Sequence, residues 1–128
     1  MSAPKDHDLD LYDAQNIFAK ILRGEIPCDK VAENDHALAF NDINPQTPRH
    51  ILVIPKGAYV SFADFSRQAS EAEMVGFLRL VGQVAQDAGL DQEGYRLLAN
   101  HGRDAHQEVP HFHIHICGGR SLGPLLAT

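Results

Sequence analysis

The chain has 128 residues, two cysteines and a net charge of −6 with histidines neutral. That length fits one domain, and the acidic balance excludes a general nucleic-acid or anionic-membrane surface, which needs a basic field. No apolar run approaches the ~18 residues of a membrane span, and Cys28 and Cys117 form no paired-cysteine motif, so a reducing, cytoplasmic setting is expected.

Residues 1–13 hold half of the excess charge, with Asp6, Asp8, Asp10 and Asp13 against Lys5, and read as a solvated acidic tail. A short helix is expected over Ala14 to Arg23, where Ile17, Phe18, Ile21 and Leu22 recur at helical spacing. Gly24 closes it and Pro27 prevents its continuation. Asp29 to Glu33 and Ala37 to Asn41 read as strands joined by an Asn34-Asp35 turn. After the Asn44-Pro45-Gln46-Thr47-Pro48 loop, His50 to Ile54 is a nearly continuous apolar strand, which predicts cover on both faces. Ser70-Glu71-Ala72-Glu73 has the form of a capping box and opens the longest helix. Its apolar stripe is Met74, Phe77, Leu78, Val81, Val84, Ala85 and Ala88, and Gly89 stops it. Tyr95 to Ala99 and His111 to Ile116 are the last two strands, separated by a polar loop. The order predicts an α+β fold: a mostly antiparallel five-stranded sheet with one long and one short helix, both on one side.

Eight histidines are present, and five lie between His101 and His115. In His111-Phe112-His113-Ile114-His115 the side chains alternate, so the three imidazoles share one face, roughly 6.6 Å apart, and the apolar residues share the other. Two chemistries fit three imidazoles on one face. One is metal binding. The other is nucleophilic catalysis, in which one ring attacks while its neighbours orient it and move protons. Spacing alone leaves both open. Hydrolytic metal sites usually add a carboxylate in an H-E-x-x-H or H-x-x-E-H pattern, and the chain has neither.

Gln107-Glu108-Val109-Pro110 followed by His111-Phe112-His113-Ile114-His115-Ile116 resembles the signature of the histidine triad (HIT) family. From Ile17 to Gly119 the chain is similar to the nucleotide-binding branch of that family. The supporting segments are Ile17-Phe18-Ala19-Lys20-Ile21, Gly24-Glu25-Ile26-Pro27, Phe40-Asn41-Asp42-Ile43-Asn44-Pro45, His50-Ile51-Leu52-Val53-Ile54-Pro55-Lys56 and Asn100.

The resemblance implies a HIT domain over residues 14–120, a C-terminal tail over 121–128, and a homodimer in which two sheets join into one. It implies a purine nucleotide substrate, with release of AMP or GMP from phosphoramidates through a nucleotidyl-histidine intermediate and no cofactor. The alternatives are a nucleotide-binding module with little turnover, and a dinucleotide hydrolase or nucleotidyl transferase of the same superfamily. His113 is the implied nucleophile. His115 contacts phosphate and helps protonate the leaving amine, while His111 and His50 hold tautomer and orientation. Asp42 takes the ribose hydroxyls, since a carboxylate offers two acceptors to a cis-diol. Ile17, Phe18, Ile21, Phe40 and Ile43 surround the base, and Asn100, His106, Gln107 and Glu108 face the phosphate and leaving group. The chain departs from familiar members in carrying His106 and Glu108 where they have Gly and Ser. Some bacterial members hold structural zinc with a C-x-x-C that falls here on Asn16 and Ala19, so no metal is implied.

Overall fold

The computed structural model describes residues 11–126. The acidic stretch before residue 11 and the last two residues of the expected C-terminal tail lie outside the described residues. The elements in chain order are α1 (Ile17–Leu22), β1 (Lys30–Glu33), β2 (Ala37–Asn41), β3 (Arg49–Pro55), α2 (Phe62–Gln68), α3 (Glu71–Asp87), β4 (Tyr95–Leu98) and β5 (Ile114–Gly118), with a 3-10 turn at Arg103–Ala105. The fold is α+β. Its five strands pair antiparallel throughout in the order β1-β2-β3-β5-β4. No helix among the described residues is long and apolar enough to cross a membrane.

Strand alternation divides the sheet into two faces. Ala37 and Ala39 on β2, Ile51 and Val53 on β3, and Ile116 on β5 face α3, and with Phe65, Phe77, Val84 and Phe112 they form the larger core. The intervening residues Leu38, Phe40, Leu52 and Ile54 pack with Phe18 of α1 in a smaller cluster on the opposite face. β3 is therefore covered on both sides, as its continuous apolar run requires. The expectation of helices on one side is corrected: α1 covers the histidine face and α3 the other.

Local chemistry sets the helix ends. The Asn16 side chain accepts from the Ala19 N–H at 2.9 Å and caps α1, and Gly24, at φ +80°, turns the chain out of it. At α3, Ser70 and Glu73 exchange both capping-box bonds. The inward stripe of α3 is Phe77, Leu80, Val81, Val84 and Ala85, whereas Leu78 is 60% exposed. Leu80 thus takes the inward place that the sequence reading gave to Leu78.

Two further differences bear on the site. The second short helix, α2, was not foreseen, because Phe62 and Phe65 alone make too short a stripe. It forms where Phe65 stacks on Phe112 at 4.9 Å and meets Phe77 at 5.2 Å. β5 starts at Ile114 rather than His111. The last β3–β5 pair is Val53 with Ile114. Beyond it the chain bonds elsewhere: the Phe112 N–H donates to the Tyr59 carbonyl at 2.7 Å, and the His111 ring bonds the Pro55 carbonyl. Alternation nevertheless continues through this stretch. Phe112 sits in the α3-side core, and the three histidines face the other way.

Candidate active site

β3 and β5 lie side by side at the centre of the sheet, with His50 opposite Cys117 and Leu52 opposite His115. His50 and His115 are diagonal neighbours on one face, and His50 Nε2 lies 2.9 Å from His115 Nδ1. β2 ends at Asn41, and the Asp42 N–H donates to the His50 carbonyl at 2.9 Å. One carboxylate oxygen of Asp42 accepts from the Asn44 N–H at 2.8 Å; the other lies 3.4 Å from His50 Nε2.

The hydrogen bonds fix each neutral ring's tautomer, because a backbone N–H only donates and a carbonyl only accepts. The Gln46 N–H donates to His50 Nδ1 at 3.0 Å. His50 therefore carries its proton on Nε2 and presents it to His115 Nδ1. His115 in turn holds its proton on Nε2. At His113, Nδ1 lies 2.7 Å from the His111 carbonyl. The proton sits there, which leaves the lone pair on Nε2. His111 donates from Nε2 to the Pro55 carbonyl at 2.8 Å and accepts at Nδ1 from the Tyr12 hydroxyl. The segment read as a solvated acidic tail thus contains, at Tyr12, a residue that packs edge-on against His111.

Burial favours the neutral form of His111, His113 and His115. Desolvation pushes His111 down to about 4, helped by the neighbouring His113 and opposed by its bond to Pro55. It pushes His115 down to about 4 as well, with His113 and His50 adding to the effect. His113 is lowered by the same cause, opposed by its bond to the His111 carbonyl.

A cavity of about 530 Å³ opens over this face, within the ~300–1,000 Å³ usual for small-molecule sites. His50, His113 and His115 line it, with Ile17, Phe18, Ile21, Phe40, Asp42, Ile43, Asn100, His106 and Glu108. Phe18 and Phe40 are its buried floor and Ile43, 84% exposed, its rim. The Phe18 ring edge meets His113 at 5.0 Å between centroids. Two of the sequence-derived site residues are not in the lining. His111 is fully buried beneath it. Gln107 spends its amide on the loop: Oε1 accepts from the Gly102 N–H at 2.9 Å, and Nε2 donates to the carbonyls of Val60 at 2.7 Å and Val109 at 3.0 Å. It staples the loop to the segment before α2. The loop turns at His106, the one described non-glycine residue in the left-handed region, at φ 58°.

The lining also includes Ile26, Pro27, Cys28, Leu52 and Val109, which sequence reasoning did not single out. Leu52 was recoverable, because it shares a strand face with His50. Among the described residues, one trio of metal-ligand side chains is close enough to share an ion: Asp42, His50 and His115, with donor atoms within 4.8 Å of one another.

Acid is expected to destabilise the protein through its buried histidines, His111 among them. The folded pKa of His111, about 4, lies below the ordinary 6.5, so the unfolded chain takes up the proton first. The stability from burying the neutral ring is complete above about pH 6.5 and is lost as pH falls toward 4, a loss on the order of 3 kcal/mol. Urea unfolding at both ends of that window measures it. His111→Asn should flatten the pH dependence by about that amount; an unchanged dependence would sink the assignment.

The sequence profile of the HIT domain matches residues 23–122. An uncharacterised HIT-like protein of Azospirillum brasilense is 64% identical over 115 residues, covering 90% of this chain and 94% of that one. The purine nucleoside phosphoramidase of Escherichia coli is 42% identical over 113 residues, covering 88% and 94%. Among solved structures, a histidine triad protein from Clostridium difficile superposes with a TM-score of 0.77 at 42% identity, covering 89% of this chain and 98% of that chain. With the triad face, its cavity and these matches together, the chain belongs to the HIT domain family.

Proposed function

We propose that this protein is a purine nucleoside phosphoramidase that releases a nucleoside monophosphate through a covalent adduct on His113. One observation carries the reading. The His111 carbonyl accepts a hydrogen bond from the Nδ1–H of His113, so the lone pair of Nε2 belongs to a buried, neutral ring on the cavity wall. A neutral imidazole nitrogen is a good nucleophile near neutral pH. Splitting the displacement in two replaces a hard attack by water with an easier one. The similarity to the Escherichia coli phosphoramidase supports the same chemistry.

In the first step His113 Nε2 attacks the α-phosphorus, and the bond from phosphorus to nitrogen breaks with its electron pair on nitrogen. The departing amine takes a proton from His115 Nε2, which solvent replaces. His50 holds the His115 ring by accepting from Gln46 and donating to His115. Water then displaces His113, gives one proton back to solvent and frees the monophosphate. Phe18, Ile21 and Phe40 offer apolar surface to the base, Asp42 accepts from the ribose hydroxyls, and N–H groups of the 106–108 loop stabilise charge on the phosphoryl oxygens. Two chains form the working unit by joining β4, one of the two edge strands, whose Tyr95, Leu97 and Leu98 are exposed.

A second reading, nucleotide binding with little turnover, draws on Glu108. Its carboxylate lines the same cavity and repels a phosphate unless it turns away. Acid-quenched mass spectrometry after mixing with an adenosine phosphoramidate separates the two. An adenylyl group on His113 with amine release is expected; bound nucleotide with neither product favours the second reading.

A further inference from the structure

We infer that Arg49 and Arg120 form a binding site for the phosphate group of a small phosphorylated ligand, in a second cavity at the end of the sheet beside the C-terminus of α3. The inference is independent of the phosphoramidase reading. This cavity measures about 760 Å³ and shares no lining residue with the histidine cavity.

The turns at one end of the sheet build it. Arg49 opens β3 and lies level with Gly118, the last residue of β5, which lies level in turn with Tyr95, the first residue of β4. Arg49 precedes Ile51 by two residues, so strand alternation places it on the α3 side of the sheet, away from the histidines. α3 ends at Asp87. Leu90 then closes over Gly118, where an added Cβ would stand 2.9 Å from the Leu90 side chain. Gly94, at φ +105°, turns the chain into β4, and Gly119, at φ +98°, turns it out of β5. Residues 119–123 form one wall.

Charge singles this cavity out. The chain has a net charge of −6, yet Arg49, Arg96 and Arg120 line the cavity against a single carboxylate, Glu93. None of the three arginines forms an ion pair among the described residues. Arg96 is committed to the fold, because its two Nη atoms donate to the carbonyls of Gly123 at 2.9 Å and Pro124 at 3.2 Å. It is a positioning residue that fixes the 119–123 wall. Arg120 is held more loosely, by the Ser121 carbonyl at 2.9 Å and the Gln46 carbonyl at 3.4 Å. Arg49 and Arg120 are exposed, and their charge is open to a ligand.

The pairing of two arginines selects the ligand chemistry. A guanidinium fork meets a carboxylate or a phosphate with two parallel hydrogen bonds. A carboxylate has two oxygens and fills one fork. A phosphate group has three or more acceptor oxygens and about −1.5 to −2 charges at neutral pH, so it can receive forks from two elements at once. The volume leaves room for the rest of a phosphorylated small molecule, to which Tyr95 and Ser121 offer hydroxyl groups. A phosphate held by both arginines ties the 119–123 wall to β3.

The test uses the ¹⁵N-labelled full chain at ~0.15 M salt, where diffuse attraction between exposed charges is screened. Inorganic phosphate and pyrophosphate are the probes, and acetate is the carboxylate control. The backbone amides of Gly94, Gly119 and Gly123 are expected to shift saturably, with one phosphate or pyrophosphate per chain. Affinity should fall about ten-fold in Arg49→Gln and in Arg120→Gln, and stay unchanged in Arg79→Gln, which removes an arginine of α3 outside the cavity. Circular dichroism shows whether each variant is folded, and if one is not, the other decides. Absence of shifts at these glycines, shifts confined to the histidine cavity, or wild-type affinity in a folded Arg49→Gln or Arg120→Gln overturns the site. Acetate binding as tightly as phosphate overturns the choice of phosphate. Bound pyrophosphate should also slow amide exchange over residues 120–123; unchanged exchange at saturation overturns the tie between wall and sheet.

Discussion

His113→Ala is expected to fold, to keep its affinity for a nucleoside monophosphate within about ten-fold, and to lose on the order of 10³-fold or more in turnover of an adenosine phosphoramidate. The ring contributes little to the larger core, because it points away from α3 toward the cavity. What the variant lacks is the Nε2 lone pair that the proposed mechanism uses to attack phosphorus. Steady-state amine release, with nucleotide affinity measured separately, tests both halves. Turnover near the wild-type rate would remove His113 from the mechanism. Equal loss of binding and turnover would make it a recognition residue instead. A His115→Gln variant should be less impaired, because water can replace a proton donor more readily than a nucleophile.

The neighbouring residue carries the opposite kind of effect. Phe112 is 2% exposed and meets three aromatic rings: Phe65 at 4.9 Å, Phe77 at 5.2 Å and Phe62 at 5.9 Å. Phe112→Ala is expected to cost about 3–5 kcal/mol, a large share of the ~5–15 kcal/mol that holds a typical domain folded. Phe112→Leu should return most of that loss, since it keeps apolar volume and gives up mainly the ring contacts. Urea unfolding gives both values. A cost under ~1 kcal/mol for the alanine variant would mean that α2 and α3 do not depend on this ring. Adjacent residues of one short segment thus separate chemistry from stability, because alternation sends one to the cavity and the other to the core.

That separation was legible in the sequence. Period-two alternation placed His111, His113 and His115 together and Phe112, Ile114 and Ile116 opposite, and the structure agrees. The capping box at Ser70 and Glu73 and the stop at Gly24 were also written locally. The side of the sheet that α1 takes was not. Phe18 and Ile21 announce an apolar face but not which surface it meets; Phe40 of β2 and Leu52 of β3 decide that, later in the chain. α2 was illegible for a related reason. Its seven residues carry no side-chain cap, and it stands on the tertiary contact of Phe65 with Phe112. The strand start at His111 misled because pairing with β3 stops at Val53 and Ile114 and β4 ends at Leu98, while the alternating pattern continues.

Within the site, residue types were legible and their protonation was not. Nothing in a list of side chains shows that Gln46 contributes an N–H, or Pro55 a carbonyl. Gln107 shows the limit from the other direction. Its amide is polar and lies beside the triad, yet all of its described bonds go to the backbone. Tyr12 was hidden inside an acidic stretch whose composition suggests nothing but solvent.

The orientation of His113, the proposed nucleophile, has an unusual kind of insurance. The group that sets the His113 tautomer is a peptide oxygen, and every amino acid at position 111 brings one. No single substitution there deletes it. Damage has to come through displacement of the chain, and that chain is tied at Phe112 to the Tyr59 carbonyl and at the His111 ring to Pro55 and Tyr12. The imidazole of His111 is thus an anchor for its own main chain. Sequence change can erode the anchor by degrees while the feature that sets the His113 tautomer stays genetically indelible.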